Sequence, residues 1–148
     1  MKNRYKVLMF TLTVVILMVT YFYSEAADIT YGGTIVNEVV SVYDGDTFKV
    51  NMQCWPTIIG KNMSVRIYGI DTPEIRGTSG VVKGLALDAK EMASFYLLAS
   101  RTVELRNMRR GKYFRIIADV YVDGENLGDI LIKEGLAKPY YGGKRPVW

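Results

Sequence analysis

Two acidic knots and two spaced arginines are the residues whose types and positions could carry chemistry in this chain. Asp44-Gly45-Asp46-Thr47 opens one apolar–polar alternation, Arg66 lies in another that runs into Asp71-Thr72-Pro73-Glu74, and Arg115 follows a basic run much later. Carboxylate oxygens are hard donors that suit calcium or magnesium, and guanidinium groups offer paired donors to phosphate oxygens. The combination points to metal-assisted chemistry at a phosphate. The chain has no histidine, which removes Ser-His-Asp and Cys-His nucleophile systems and every mechanism that needs a histidine base. A base here must be a carboxylate, a lysine or a tyrosine. Cys54 is the single cysteine, so the chain holds no internal disulfide and no cysteine-rich zinc site.

Taken one at a time, the motifs have plainer readings. D-G-D-T can be a hairpin turn, T-P-E a helix start and Arg66 a surface ion-pair partner. Asp44-Gly45-Asp46 does not begin an EF-hand, because Trp55 stands where the twelfth-position glutamate belongs. Arg106, Arg109, Arg110, Lys112 and Arg115 follow one another with no acid among them, either a solvated basic face or a nucleic-acid footprint. The net charge is +4, but Lys2, Arg4 and Lys6 supply three of the positive charges, so the remainder is only mildly basic.

The elements that must position these groups can be read from periodicity. Thr34–Tyr43 is rich in β-branched residues and predicts a strand, and Asp44-Gly45 a hairpin turn. From Asp46 to Gln53 the even positions Asp46, Phe48, Val50 and Met52 alternate with polar residues, and from Met63 to Asp71 the odd positions form a second such face. Both faces have an acid at one end. Two carboxylates at the ends of inward faces are costly unless solvated, paired or bound to a cation. Gly80–Gly84 reads as loop and Leu85–Ser100 as a bracing helix. Thr102–Arg106 and Tyr113–Asp123 read as strands, and Leu127–Glu134 as a short helix capped by Asn126 and stopped by Gly135. Three strands, a helix, two strands and a helix suit a mainly β, α+β domain: a five-stranded OB-fold barrel with two helices.

Residues 1–26 read as an N-terminal apolar targeting segment. A basic start precedes an uncharged run from Val7 to Tyr23, then small residues around Ala26. The run is long for a signal peptide's apolar core and slightly short for a membrane span of about 20 residues, so it reads either as a signal peptide cleaved near Ala26 or as a membrane anchor. Either places the domain of residues 27–148 outside the cytoplasm, secreted, periplasmic or tethered, with membrane contact only through residues 7–23 if uncleaved.

Asp44-Gly45-Asp46-Thr47, Arg66 with Asp71-Thr72-Pro73-Glu74, Lys112-Tyr113-Phe114-Arg115 and Gly135-Leu136-Ala137-Lys138 together closely resemble the staphylococcal nuclease (thermonuclease) family. The resemblance spans roughly residues 35–141. It implies an OB-fold, calcium-dependent phosphodiesterase acting on DNA and RNA and leaving 3′-phosphate ends. It also implies roles: Asp46, Asp71 and the Thr72 main-chain carbonyl as calcium ligands, Glu74 orienting and deprotonating water, Arg66 and Arg115 holding the phosphate. Lys112, Tyr113 and Tyr141 would contact the nucleotide. Phe114 departs from the pattern, standing where the family's best-known member has glycine, and residues 75–84 form a shorter loop. The competing reading is a catalytically weak OB-fold module that binds nucleic acid or protein while tethered outside the cytoplasm. The presence of all five of Asp46, Arg66, Asp71, Glu74 and Arg115 favours the enzyme. A monomer is the default.

Overall fold

Alternation builds the barrel as the sequence predicts. In β3 (Thr47–Asn51) Phe48 and Val50 are buried and Lys49 is exposed, and in β4 (Met63–Ile67) Met63, Val65 and Ile67 are buried, because successive side chains leave a strand on opposite faces. The computed structural model describes Lys6, residues 9–18 and residues 29–148. Residues 9–18 are helical and exposed on all sides; the other residues of the expected targeting segment apart from Lys6, including the expected cleavage position near Ala26, lie outside the described residues. Among the described residues no helix is long and apolar enough to cross a membrane.

The strands are β1 (Thr34–Ile35), β2 (Glu38–Val42), β3, β4, β5 (Ile70–Asp71), β6 (Val103–Arg110), β7 (Ile116–Val122), β8 (Glu125–Asn126) and β9 (Lys138–Pro139). The main sheet runs β1-β6-β7-β4-β3-β2, with β8 beside β7; β4 and β7 are parallel. The strand expected over Thr34–Tyr43 is thus two strands, at opposite ends of this order although only Val36 and Asn37 separate them. The Val36 N–H donates to the Val103 carbonyl at 2.9 Å and the Asn37 N–H to the Asn51 carbonyl at 3.0 Å. Within one residue the chain leaves β6 and joins β3, which curls the sheet onto itself as an OB-type barrel of mixed α and β structure.

Three further departures have local causes. The strand expected over Met63–Asp71 breaks at Gly69, whose φ of +79° is a glycine conformation; β5 then pairs with β9, setting Asp71 opposite Lys138. The strand expected from Tyr113 begins at Ile116, because Tyr113 and Phe114 have φ of +58° and +56°, outside the strand region. β6 runs on to Arg110 past a register shift between Arg106 and Arg109, with Asn107 at φ +49°, a bulge that bends the strand.

Helix α1 (Thr57–Gly60) is a single turn between β3 and β4. Helix α2 (Gly80–Ala99) seals the barrel with Ala86, Ala89, Ala93 and Leu97. It starts five residues before the expected Leu85, because residues 80–84 bury no side chain fully and so carry no periodicity, while extending an existing helix adds one hydrogen bond per residue ordered. Its small residues matter to the acidic loop: a Cβ on Gly45 would lie 2.7 Å from the Ala89 Cβ and 2.9 Å from the Thr72 Cγ2. Helix α3 (Leu127–Lys133) is capped as predicted, the Asn126 side chain accepting from the Gly128 and Asp129 N–H groups.

Candidate active site

Asp46 opens the buried face of β3 and Asp71 closes β5, and each is only 1% exposed. Between them lies Arg66, paired across the sheet with Thr47. Its Nη1 donates to Asp46 Oδ1 at 2.8 Å and its Nη2 to Asp71 Oδ1 at 3.1 Å, so one planar guanidinium bridges a carboxylate just before β3 and one on β5. The Thr47 hydroxyl donates to Asp46 Oδ1 at 2.8 Å, the Thr72 N–H to Asp46 Oδ2 at 3.4 Å, and the Asp46 N–H to Asp44 Oδ1 at 3.2 Å. The last bond closes the side-chain turn that D-G-D sequences favour.

Burial pushes the Asp46 carboxyl up from 3.8 to about 7, with nearby Asp44 adding to the rise and Arg66 and the Thr47 hydroxyl opposing it. The folded, metal-free chain therefore holds a proton here that the unfolded chain releases near pH 4. The resulting stabilisation is complete below that pH and is lost as the pH rises towards 7. In chelator, Asp46→Asn, which cannot ionise, should gain thermal stability relative to the parent between pH 4 and 7. A constant difference in melting temperature across that range would show that burial does not govern this carboxyl.

The residues fit a hard divalent cation in donor chemistry. Asp46 Oδ2 accepts a long hydrogen bond from the Thr72 N–H at 3.4 Å, Asp71 and Thr72 are buried as well, and a buried acid pair is relieved by positive charge. Among the described residues no three acidic, histidine or cysteine side chains gather closely enough to enclose an ion. The protein offers two carboxylates and a main-chain carbonyl, and calcium takes six to eight oxygens, so the remainder must come from water and substrate.

Glu74 stands just outside, half exposed, and is tied to the pair by a residue that sequence reasoning missed. Arg145 donates from Nε and Nη2 to Asp71 Oδ1 at 3.0 and 2.6 Å, and from Nη1 to Glu74 Oε1 at 2.5 Å. The Trp148 Nε1 donates to Asp71 Oδ2 at 3.3 Å. The local sign of this return is Gly142-Gly143, both at positive φ, followed by Lys144-Arg145. Hydrogen bonds to Asp71 and then to Glu74 push the Arg145 pKa above its already high value.

The expected nucleotide contacts are all exposed. Tyr141 is exposed and meets Tyr68 edge-on at 5.6 Å, and the Arg109 guanidinium lies 3.7 Å over the other partner of that pair, Tyr68. Tyr68 and Arg109 were not expected in this role, since Tyr68 reads as the polar-parity residue of a strand and Arg109 as one of a basic run. Lys112 and Tyr113 are exposed on the loop before β7. Arg115 precedes β7 and is not on a strand, and among the described residues no hydrogen bond or ion pair ties it to the acids that hold Arg66. It lines a separate cavity of about 490 Å³ with Tyr31, Trp55, Met108 and Phe114, its Nε buried without a hydrogen-bond partner.

The comparisons with known proteins fall on the same stretch. Residues 64–146 match the family model described as staphylococcal nuclease homologue, a span that holds Arg66, Asp71, Glu74, Arg115 and Arg145 but not Asp46. The chain is 38% identical over 101 residues to Endonuclease YncB of Bacillus subtilis (66% of this chain, 44% of the relative). It is 39% identical over 101 residues to the SPbeta prophage-derived endonuclease YokF of the same organism (66% and 32%), and 29% identical over 102 residues to Thermonuclease of Staphylococcus hyicus (68% and 57%). The chain thus spans from about a third to somewhat over half of these relatives' lengths. A family match over more than half the chain, on a barrel that sets an arginine between two buried acids, places this protein in the staphylococcal nuclease family.

Proposed function

We propose that this protein is a calcium-dependent endonuclease that hydrolyses phosphodiester bonds of DNA and RNA and leaves 3′-phosphate ends. The observation that carries the reading is Arg66 bridging Asp46 and Asp71, an arrangement that combines cation ligands with a phosphate donor. The relatives' names, two endonucleases and a thermonuclease, support the same reaction class. Asp46, Asp71 and the Thr72 carbonyl would hold the calcium ion, which when bound supplies positive charge to the phosphate oxygens. Glu74 accepts a proton from a water whose oxygen attacks phosphorus; the bond from phosphorus to the 5′ oxygen breaks, and that oxygen takes a proton from solvent. Arg66 donates to the oxygens on which charge grows in the pentacoordinate state. Tyr141 and Tyr68 offer ring faces and edges to bases, and Lys112 and Tyr113 reach the strand from the exposed loop. We place this activity outside the cytoplasm on the strength of the basic-then-apolar run in residues 1–26, and take a monomer as the default state.

Chelation is the direct test. Cleavage of plasmid and single-stranded DNA should stop in excess chelator and return on adding calcium. Undiminished cleavage in chelator would remove the cation from the mechanism, and DNA binding with no cleavage under any cation would favour the binding-module reading instead.

A further inference from the structure

We propose that Arg145 is a substrate-phosphate ligand of this site: it gives up Asp71 when a divalent cation enters and takes a phosphodiester oxygen instead. The inference rests on the phosphodiester-cleaving reading above and extends it to a residue that neither motif spacing nor the family resemblance marked.

The first observation is saturation. Asp71 Oδ1 accepts from Arg66 Nη2 and from both Nε and Nη2 of Arg145, and Oδ2 accepts from Trp148. A carboxylate oxygen has about two lone-pair directions, and three donors already crowd Oδ1, so a cation cannot share that oxygen until a donor leaves, and Oδ2 has one direction left beside Trp148. Arg66 is the harder to move. Its side chain is 17% exposed, and it is also held by Asp46 and by the Ile70 carbonyl at 3.4 Å. Arg145 is 45% exposed and is held at its guanidinium by Asp71 and Glu74, whose charges a bound cation would offset.

The second observation is that the segment carrying Arg145 is pinned independently of those carboxylates. Lys138 Nζ donates to the Val147 carbonyl at 2.7 Å and lies 4.4 Å from the Trp148 ring centroid, and the Tyr140 hydroxyl donates to the Gly143 carbonyl at 3.0 Å. Released from Asp71, the guanidinium therefore stays at the rim of the site, on its solvent side. A guanidinium keeps its charge at any working pH and matches two phosphate oxygens with two parallel donors. With Arg115 lining another cavity, Arg145 is the second guanidinium that meets the same carboxylate as Arg66.

Calorimetric titration with a nucleoside 3′-phosphate in the presence of calcium tests the assignment, alongside titration with calcium alone. Arg145→Gln should bind the nucleotide at least about 10-fold more weakly than the parent, the effect of losing one charge-assisted pair, while its calcium affinity is equal or higher. Arg145→Lys, which keeps the charge and loses the fork, should fall between. In steady-state cleavage of short single-stranded DNA the loss should appear in KM and become smaller at high salt. Nucleotide affinity equal to the parent's in Arg145→Gln would overturn the proposal and leave Arg145 a partner of carboxylates alone. A parent that cuts DNA beside such a variant separates that failure from failure of the endonuclease reading, in which the parent itself does not cut.

Discussion

Glu74→Gln is expected to lower kcat by about 10²- to 10⁴-fold, the usual range for a positioned base, with the fold unchanged. The side chain is 48% exposed and its contact is with Arg145, also half exposed, so little stability depends on it. Gln keeps the shape and an acceptor oxygen but cannot take a proton at neutral pH. The chain has no histidine to substitute, and Asp46 and Asp71 are buried, bonded to Arg66 and assigned to the cation. Rate constants from single-stranded DNA cleavage, with circular dichroism as the check on folding, measure the effect. Cleavage at the parent's rate would mean that another group handles the water.

What could be read from the sequence was what depends on neighbours along the chain. Two-residue periodicity placed Phe48, Val50, Val65, Ile67, Val120 and Val122 inside the barrel, and it put Asp46 and Asp71 at the ends of buried faces. The capping side chain of Asn126 and the stop at Gly135 are equally local. What could not be read depends on distant partners. Val36 and Asn37 look like ordinary strand residues, yet they divide their hydrogen bonds between Val103 and Asn51. Gly69 ends the alternation, and beyond it Ile70 and Asp71 are both buried, because β9 covers them from the other end of the chain. Arg145 and Trp148 reach Asp71 across more than seventy positions, a separation at which no periodicity operates. Arg115 shows the same limit in reverse: its place in the motif is clear from sequence, but nothing local announces the positive φ values of Tyr113 and Phe114 before it or the cavity that it lines with Tyr31 and Trp55.

That difference between the arginines leads to unequal expectations for their lysine variants. Arg66→Lys should lose about 2 to 4 kcal/mol of transition-state stabilisation, by analogy with removal of one preorganised donor, which is about 30- to 10³-fold in kcat/KM. Lysine retains the charge but places a compact ammonium on a flexible stem, and it cannot span Asp46 Oδ1 and Asp71 Oδ1 with two fixed donors. The same substitution should also lower the melting temperature of the metal-free protein, because it weakens the bridge between two carboxylates that are each 1% exposed, and an uncompensated buried charge is strongly destabilising. Calcium should restore part of that loss by taking over the compensation. Arg115→Lys should have the smaller kinetic effect, since Arg115 lines a cavity with Tyr31, Trp55 and Met108, whereas Arg66 is hydrogen-bonded to both acids. The comparison needs kcat/KM and thermal melts with and without calcium for both variants. Near-parental turnover in Arg66→Lys would falsify the bridging arginine as a phosphate ligand. An Arg115→Lys loss as large as that of Arg66→Lys would mean that residues 111–115 swing Arg115 out of its cavity when substrate binds.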